Sequence, residues 1–196
     1  MQGPRASDYQ REWLAARVPR GRPVSASPGW GPVPTPADIL GPFYRPGAPW
    51  RRRLVPVDEE VNLVLAGRVL TTGGQPVVGY VEFWQADGGG RYDADGNGLR
   101  GIQKIGEDGG YEVLTVRPGF YDISEPTDPE PHLFRCPHVH VKVWARGRDV
   151  LTTQLYFPDE KYNDTDQWFD AHRVIKLSAG DKASVARGEF DLIIQL

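Results

Sequence analysis

The sequence predicts an all-β protein, an antiparallel β-sandwich with a short N-terminal helix and an extended proline-rich arm. Its 196 residues include 23 Gly and 18 Pro, which is typical of many short elements joined by turns. From residue 61 onward, short runs of apolar and β-branched residues alternate with turn residues. No long run with helical periodicity separates them, which favours a sandwich over a helical or mixed fold.

The N-terminal region differs from the rest of the chain. A helix is predicted over residues 8–18, with Ser7 as its cap and Pro19 as its end. Residues 19–56 are rich in proline and predict an extended arm. The arm carries four large aromatic residues, Trp30, Phe43, Tyr44 and Trp50. Because such side chains are costly to leave in water, we expect the arm to lie on its own domain or on a neighbouring subunit.

The remaining chain predicts about seven strands and their turns. We place them at residues 62–71, 80–86, 111–116, 138–145, 151–157, 173–177 and 190–195. Gly73-Gly74 and Pro118-Gly119 mark turns between them. This pattern divides the chain into a helix and arm at 1–60 and a β-sandwich domain at 61–196.

Composition excludes several classes of function. The chain has 26 acidic and 23 basic residues, a net charge of -3 that does not indicate nucleic-acid binding. Its single cysteine, Cys136, excludes an intrachain disulfide and a cysteine-rich zinc module. The sequence has neither a run of about 18 apolar residues nor an apolar signal core, so we expect a cytoplasmic protein without membrane association.

The strongest chemical signal is the pair His138 and His140 in a predicted strand. Residues two apart in a strand point to the same side, so both imidazoles project from one face. The other face carries Val139, Val141 and Val143. Two adjacent neutral imidazoles suit a transition metal, although a pair of half-exposed surface histidines fits the same pattern.

Further metal ligands have no clear local signal. We expect His132 and His172 at the surface and do not expect Cys136 to be a ligand. Tyr92 and Tyr121 stand beside glycines at strand ends, where tyrosine is usually a packed aromatic with a hydrated hydroxyl. Three aspartates beside Gly-rich turns are expected to bind the backbone: Asp87, Asp93 and Asp95.

Four segments together resemble the intradiol ring-cleavage dioxygenases, the family of protocatechuate 3,4-, catechol 1,2- and hydroxyquinol 1,2-dioxygenases. In order, they are GRVLTTGGQPVVGYVEFWQADGGGRYD, RPGFYD, RCPHVHVKV and LTTQLYF. The resemblance runs from about residue 36 to residue 195. It implies a β-sandwich that inserts both atoms of O2 into a catechol-type diol, opening the ring between the hydroxyl-bearing carbons to a cis,cis-muconic acid.

The resemblance also implies a site. It predicts one non-haem Fe(III) per subunit, held by Tyr92, Tyr121, His138 and His140. By the family's mechanism, Tyr121 leaves the metal when substrate binds and takes up a catechol proton. Arg135 would stabilise charge on the ring, and Gln154 would lie beside the ligands. The implied partners are a catechol and O2, with a self-sufficient subunit in a homodimer or higher homo-oligomer.

Two other interpretations stay open. The segment GRVLTTGGQPVVGYVEFW also resembles transthyretin-like and carboxypeptidase-regulatory modules, which are β-sandwiches that bind partners without catalysis. Alternatively, the acidic, proline-rich stretch 122–137 suggests a dioxygenase-like chain that acts on a bulky catechol within a biosynthetic pathway. The acids of this stretch would also disfavour a carboxylated substrate.

Overall fold

The structure is a computed structural model that describes residues 32–124, 132–180 and 184–196. The helix predicted at 8–18 and the arm residue Trp30 lie outside these ranges. Within them, no helix is long and apolar enough to cross a membrane.

Strands dominate the described residues. They are β1 (Leu63–Thr71), β2 (Gly79–Gln85), β3 (Arg100–Lys104), β4 (Gly110–Thr115), β5 (Tyr121–Asp122), β6 (Phe134–Arg135), β7 (His138–Ala145), β8 (Arg148–Tyr156), β9 (Lys176–Ala179), β10 (Ala186–Glu189) and β11 (Leu192–Ile194). One sheet has the order β3-β2-β7-β8, and the other has the order β11-β1-β10-β9 with β4 also paired to β1. Strands β5 and β6 form a separate hairpin.

The predicted β-sandwich is confirmed, with one refinement. The sheet around β7 is antiparallel, but β1 pairs in parallel with both β10 and β11, so the second sheet is mixed. The core lies between the sheets, where alternate residues of β2 and β7 meet those of β1 and β4. It includes the three valines of β7, which lie on the face opposite His138 and His140 as the alternation predicted.

Most predicted strands correspond to observed ones. The segment 173–177 matches poorly, because a 3-10 turn at Ala171–Arg173 precedes β9. Strands β3, β5, β6 and β10 were not predicted. Strand β3 (RGIQK) mixes charged and apolar residues, and two-residue strands such as β5 and β6 are too short to show a period.

The described part of the arm lies on its own domain. The N–H of Thr35 donates to the carbonyl of Ile193 at 2.9 Å, and that of Asp38 donates to Thr152 at 2.8 Å. Further along, the N–H of Leu54 donates to the carbonyl of a β4 residue. The arm therefore crosses both sheets. The division of the chain at residue 60 remains a prediction.

Candidate metal centre

The histidine pair lies inside the protein. Strand β7 is flanked by β2 and β8, and His138 and His140 are only 2% and 1% exposed. Their ring centroids are 4.9 Å apart. The alternative of two half-exposed surface histidines is therefore wrong for this pair.

Local hydrogen bonding prepares His138 to be a ligand. Its Nδ1 lies 2.7 Å from the carbonyl oxygen of Cys136, and this contact favours a proton on Nδ1. Nε2 then carries a lone pair, which accepts from the Tyr92 hydroxyl at 3.3 Å when no cation is bound. Metal-bound histidines are commonly oriented in this way by a backbone carbonyl behind the ring.

Packing holds the second imidazole. The His140 ring stacks on the indole of Trp84, with centroids 4.7 Å apart and an interplanar angle of 7°. On the arm, Gly41 has φ +74°, and a Cβ at this position would lie 3.1 Å from Cε1 of His140. The buried Nδ1 of His140 has no hydrogen-bond partner among the described residues.

A loop carries Tyr92 and the short strand β5 carries Tyr121, and both tyrosines lie beside this pair. The rings of Tyr92 and Tyr121 are perpendicular, with centroids 5.6 Å apart, and Tyr121 lies 5.8 Å from the ring of His138. The close approach of these two segments requires Gly90, because a Cβ there would lie 2.1 Å from the carbonyl oxygen of Phe120. Both tyrosines are half-buried, so the phenolic side of the cluster lies nearer to solvent than the imidazole side.

Burial keeps these four groups uncharged when no cation is bound. It lowers the pKa of His138 to about 3 and that of His140 well below the ordinary value. Burial, and then the neighbouring Tyr121, raise the pKa of Tyr92 well above its usual value. Burial also raises the pKa of Tyr121. The imidazoles therefore offer lone pairs at neutral pH, and the phenols would lose their protons only to a strong positive charge.

These donors fit a trivalent iron ion. Among the residues that the structure describes, no group of three or more His, Cys, Asp or Glu could hold a metal, so a metal centre here needs tyrosine oxygen. Two phenolates match a hard, highly charged cation, and two neutral imidazoles fill further positions without adding charge. The groups that would hold the ion are Tyr92, Tyr121, His138 and His140.

Arg135 borders the cluster and is 3% exposed. Its Nη1 lies 3.5 Å from the Tyr121 hydroxyl oxygen, and its Nη2 donates to Oε1 of Gln154 at 2.5 Å. Gln154 stands opposite His140 in the β7–β8 ladder, and its Nε2 donates to the carbonyl of Ile39 at 3.4 Å. The structure thus brings together all six residues that the sequence singled out.

Sequence reasoning missed the residues that hold Arg135. Asp166 accepts from Nε of Arg135, and the Trp168 ring lies 4.4 Å from its guanidinium carbon. Cys136, whose role the sequence left open, donates to Asp166 through both its N–H and its thiol. Neither Asp166 nor Trp168 had a local signal, because each acts through a partner far away in the sequence.

The expectations for other polar residues are largely met. His172 is exposed beside Asp170, and the half-buried His132 pairs with Asp122. Asp93 accepts from the N–H groups of Gly96 and Gly98. Asp87 likewise binds the backbone of its own turn.

Comparison with known proteins identifies the class to which this fold and cluster belong. The sequence model of a family described as Dioxygenase matches residues 39–192. A hydroxyquinol 1,2-dioxygenase of Rhizobium sp. (strain MTP-10005) is 31% identical over 180 residues, which cover 78% of this chain and 60% of that protein.

Solved structures agree. The dioxygenase domain of a dioxygenase and carbohydrate-binding protein fusion from Streptomyces sp. SirexAA-E has a TM-score of 0.71 at 37% identity, covering 84% of this chain and 99% of that one. Catechol 1,2-dioxygenase from Pseudomonas arvilla C-1 has a TM-score of 0.72 at 27% identity, covering 82% of this chain and 62% of that one.

The chain belongs to the intradiol ring-cleavage dioxygenase family. It spans 60% and 53% of the first two curated relatives that it matches. This assignment does not favour the non-catalytic binding module that the segment around β1 and β2 also resembled.

Proposed function

We propose that this protein is a non-haem Fe(III) intradiol dioxygenase. It would insert both atoms of O2 into a catechol-type diol and open the ring between the two hydroxyl-bearing carbons, giving a cis,cis-muconic acid-type product. Each subunit would hold one Fe(III) through Tyr92, Tyr121, His138 and His140. Bound Fe(III) would supply a Lewis-acidic centre that binds the catechol oxygens and favours loss of their protons.

The convergence of two buried imidazoles and two half-buried phenols is the observation that carries this proposal. The imidazoles come from one strand, and their rings are held by Cys136 and Trp84. The phenols come from the loop after Gly90 and from strand β5, and these two segments approach each other at Gly90 and Phe120. In this convergence, Nε2 of His138 lies 3.3 Å from the Tyr92 hydroxyl oxygen, close enough for the two groups to bind one cation.

Tyr121 is suited to accept a proton from the substrate, and Arg135 is suited to stabilise negative charge. The phenolate of Tyr121 would accept a proton from a catechol hydroxyl as the substrate enters. The guanidinium of Arg135 lies 3.5 Å from the Tyr121 hydroxyl oxygen, so it can stabilise negative charge there and on the substrate ring. Gln154 holds Nη2 of Arg135 and would keep the guanidinium in this orientation.

Visible absorption of the iron-loaded protein, with and without anaerobic catechol, tests this proposal. We expect a broad phenolate-to-Fe(III) band that shifts when catechol binds, and one iron per chain by elemental analysis. Tyr92→Phe and Tyr121→Phe should each weaken the band. Tyr162→Phe is the matched control, because this half-buried tyrosine packs on Phe134 outside the cluster.

Ring cleavage is then measured by O2 uptake and product identification. A muconic acid-type product formed with one O2 per catechol would support the proposal. A protein that takes up no iron, or that binds iron without the phenolate band, would overturn it.

A further inference from the structure

The β5–β6 hairpin, which carries Tyr121 and Arg135, also has exposed apolar side chains next to these two residues. These two residues are directly opposite in the β5–β6 ladder, and the N–H of Ile123 donates to the carbonyl of Leu133 at 2.9 Å. Opposite residues in an antiparallel pair point to the same side, and sides alternate along each strand. Ile123 and Leu133 therefore project to the same side as Tyr121 and Arg135. Their side chains are 39% and 56% exposed.

Asp122 and His132 project to the other side of the hairpin. Asp122 is opposite Phe134 in the ladder, and its carboxylate contacts Nδ1 of His132 at 2.8 Å. Alternation thus puts a hydrogen-bonded Asp122–His132 pair on one side of the hairpin and two exposed aliphatic side chains on the side of the candidate iron site.

The arm adds further exposed apolar side chains beside the site. The carbonyl of Ile39 accepts from Gln154, which places this residue at the edge of the site. Phe43 stacks on Tyr92 with centroids 4.2 Å apart and makes an edge contact with Tyr121, yet it remains 40% exposed. Ile39 and Leu40 are also exposed. We define the apolar rim as Ile39, Leu40, Phe43, Ile123 and Leu133.

The buried cations near the site are already neutralised. Arg135 pairs with Asp166, and Arg173 pairs with Asp38 beneath the arm. A substrate carboxylate would therefore have to compete with a buried aspartate for either guanidinium. Exposed apolar side chains beside a binding site commonly contact the apolar part of a ligand.

We propose that the apolar rim is a subsite for a large, uncharged, apolar substituent on the catechol ring. This inference rests on the proposed function for the position of the diol, and it names the substrate class of the same site. The preferred ligands would be catechols with an alkyl or aryl group, in preference to catechols with a carboxylate.

Anaerobic equilibrium binding to the iron-loaded protein tests the subsite independently of turnover. Titration calorimetry with catechol, 4-phenylcatechol and protocatechuate (the 4-carboxylate) gives the three dissociation constants. We expect 4-phenylcatechol to bind at least about tenfold more tightly than protocatechuate, the factor expected when a ring-sized apolar group is half removed from water.

Two variants test whether the apolar rim causes the preference for 4-phenylcatechol over protocatechuate. Ile123→Lys and Leu133→Lys should each weaken 4-phenylcatechol binding by about threefold to tenfold relative to catechol, and should strengthen protocatechuate binding. Val57→Lys is the matched control, because Val57 is exposed on a loop and should leave the ratios unchanged.

The outcomes separate this inference from the proposed function. Equal or tighter binding of protocatechuate by the wild-type protein would overturn the inference, as would unchanged ratios in both lysine variants. Apolar selectivity without ring cleavage under O2 would uphold the subsite and overturn the proposed function. Cleavage of catechol without apolar selectivity would uphold the proposed function and overturn the subsite.

Discussion

Arg135 and Asp166 form a buried ion pair between residues 31 positions apart in the sequence. Nε of the guanidinium lies 3.1 and 2.9 Å from the two carboxylate oxygens, and the side chains are 3% and 0% exposed. Burial by itself would raise the pKa of Asp166, but the N–H of Trp168 and the guanidinium of Arg135 together lower it. The carboxylate therefore stays ionised and holds Arg135 against Tyr121.

Replacing Asp166 by Asn should impair both stability and catalysis. The variant would leave the buried Arg135 without a counter-charge, and we expect a loss of about 3 kcal/mol in the free energy of unfolding. A displaced guanidinium should lower kcat by roughly tenfold to a hundredfold. Urea denaturation and steady-state O2 uptake with catechol measure the two effects.

Asp164→Asn is the control for this change. Asp164 is exposed on the same loop, so its replacement should alter neither quantity by much. Full activity in Asp166→Asn, with the stability loss still present, would contradict a positioning role for the pair and leave it purely structural.

Two glycines allow the contact between the arm and His140 to be measured. Gly41 and Gly47 have φ values of +74° and +83°, so alanine strains the backbone at either position. Each variant should lose about 1 kcal/mol of unfolding free energy. A Cβ at Gly41 would press on His140, whereas one at Gly47 would have no atom within 4 Å.

Gly41→Ala should therefore weaken iron retention, measured by competition with a chelator, and Gly47→Ala should not. Equal iron retention in the two variants would show that the arm does not constrain this imidazole.

Stacking on Trp84 should contribute to the affinity for iron. A stacked aromatic pair contributes about 0.5–1.5 kcal/mol beyond its buried area, so Trp84→Leu should raise the iron dissociation constant by roughly twofold to tenfold. Trp84→Phe retains an aromatic ring and should have a smaller effect. Trp144→Leu, in a β7 position further from the cluster, is the control, and an equal loss there would argue against a role for the stack.

Acid should destabilise the metal-free protein through the buried histidines. The pKa of His138 is about 3 in the folded protein, against about 6.5 in an unfolded chain. Below pH ~6.5 only the unfolded chain takes up this proton, so stability is complete above that pH and is lost as the pH falls toward 3. The loss is about 1.4 kcal/mol per pH unit, and His140 acts in the same direction.

Urea denaturation of the chelator-treated protein at pH 7.5 and 5 measures this dependence. His138→Asn should reduce the pH dependence, and His172→Asn should preserve it because His172 is exposed. A wild-type stability that does not change between these pH values would be incompatible with buried neutral imidazoles.

Strand β7 shows what local pattern can predict. Alternation alone assigned His138 and His140 to one face and three valines to the core, and the observed strand has the predicted bounds. The same reasoning failed at β5 and β6, because two-residue strands have no detectable period and their pairing depends on distant contacts. It also did not separate Tyr92 and Tyr121 from ordinary packed tyrosines without the family resemblance.

The sequence by itself determined the β-sandwich class, the shared face of the histidine pair and, through family motifs, the candidate ligands and Arg135. Only the tertiary structure decided which groups hold them in place. Asp166 contacts Arg135 although strands β7 and β8 lie between them in the sequence. Trp84 meets His140 through β2–β7 pairing, and Phe43 meets Tyr92 only after the arm docks. These contacts join residues far apart in the chain, and such contacts depend on sheet order and register, which a local period does not encode.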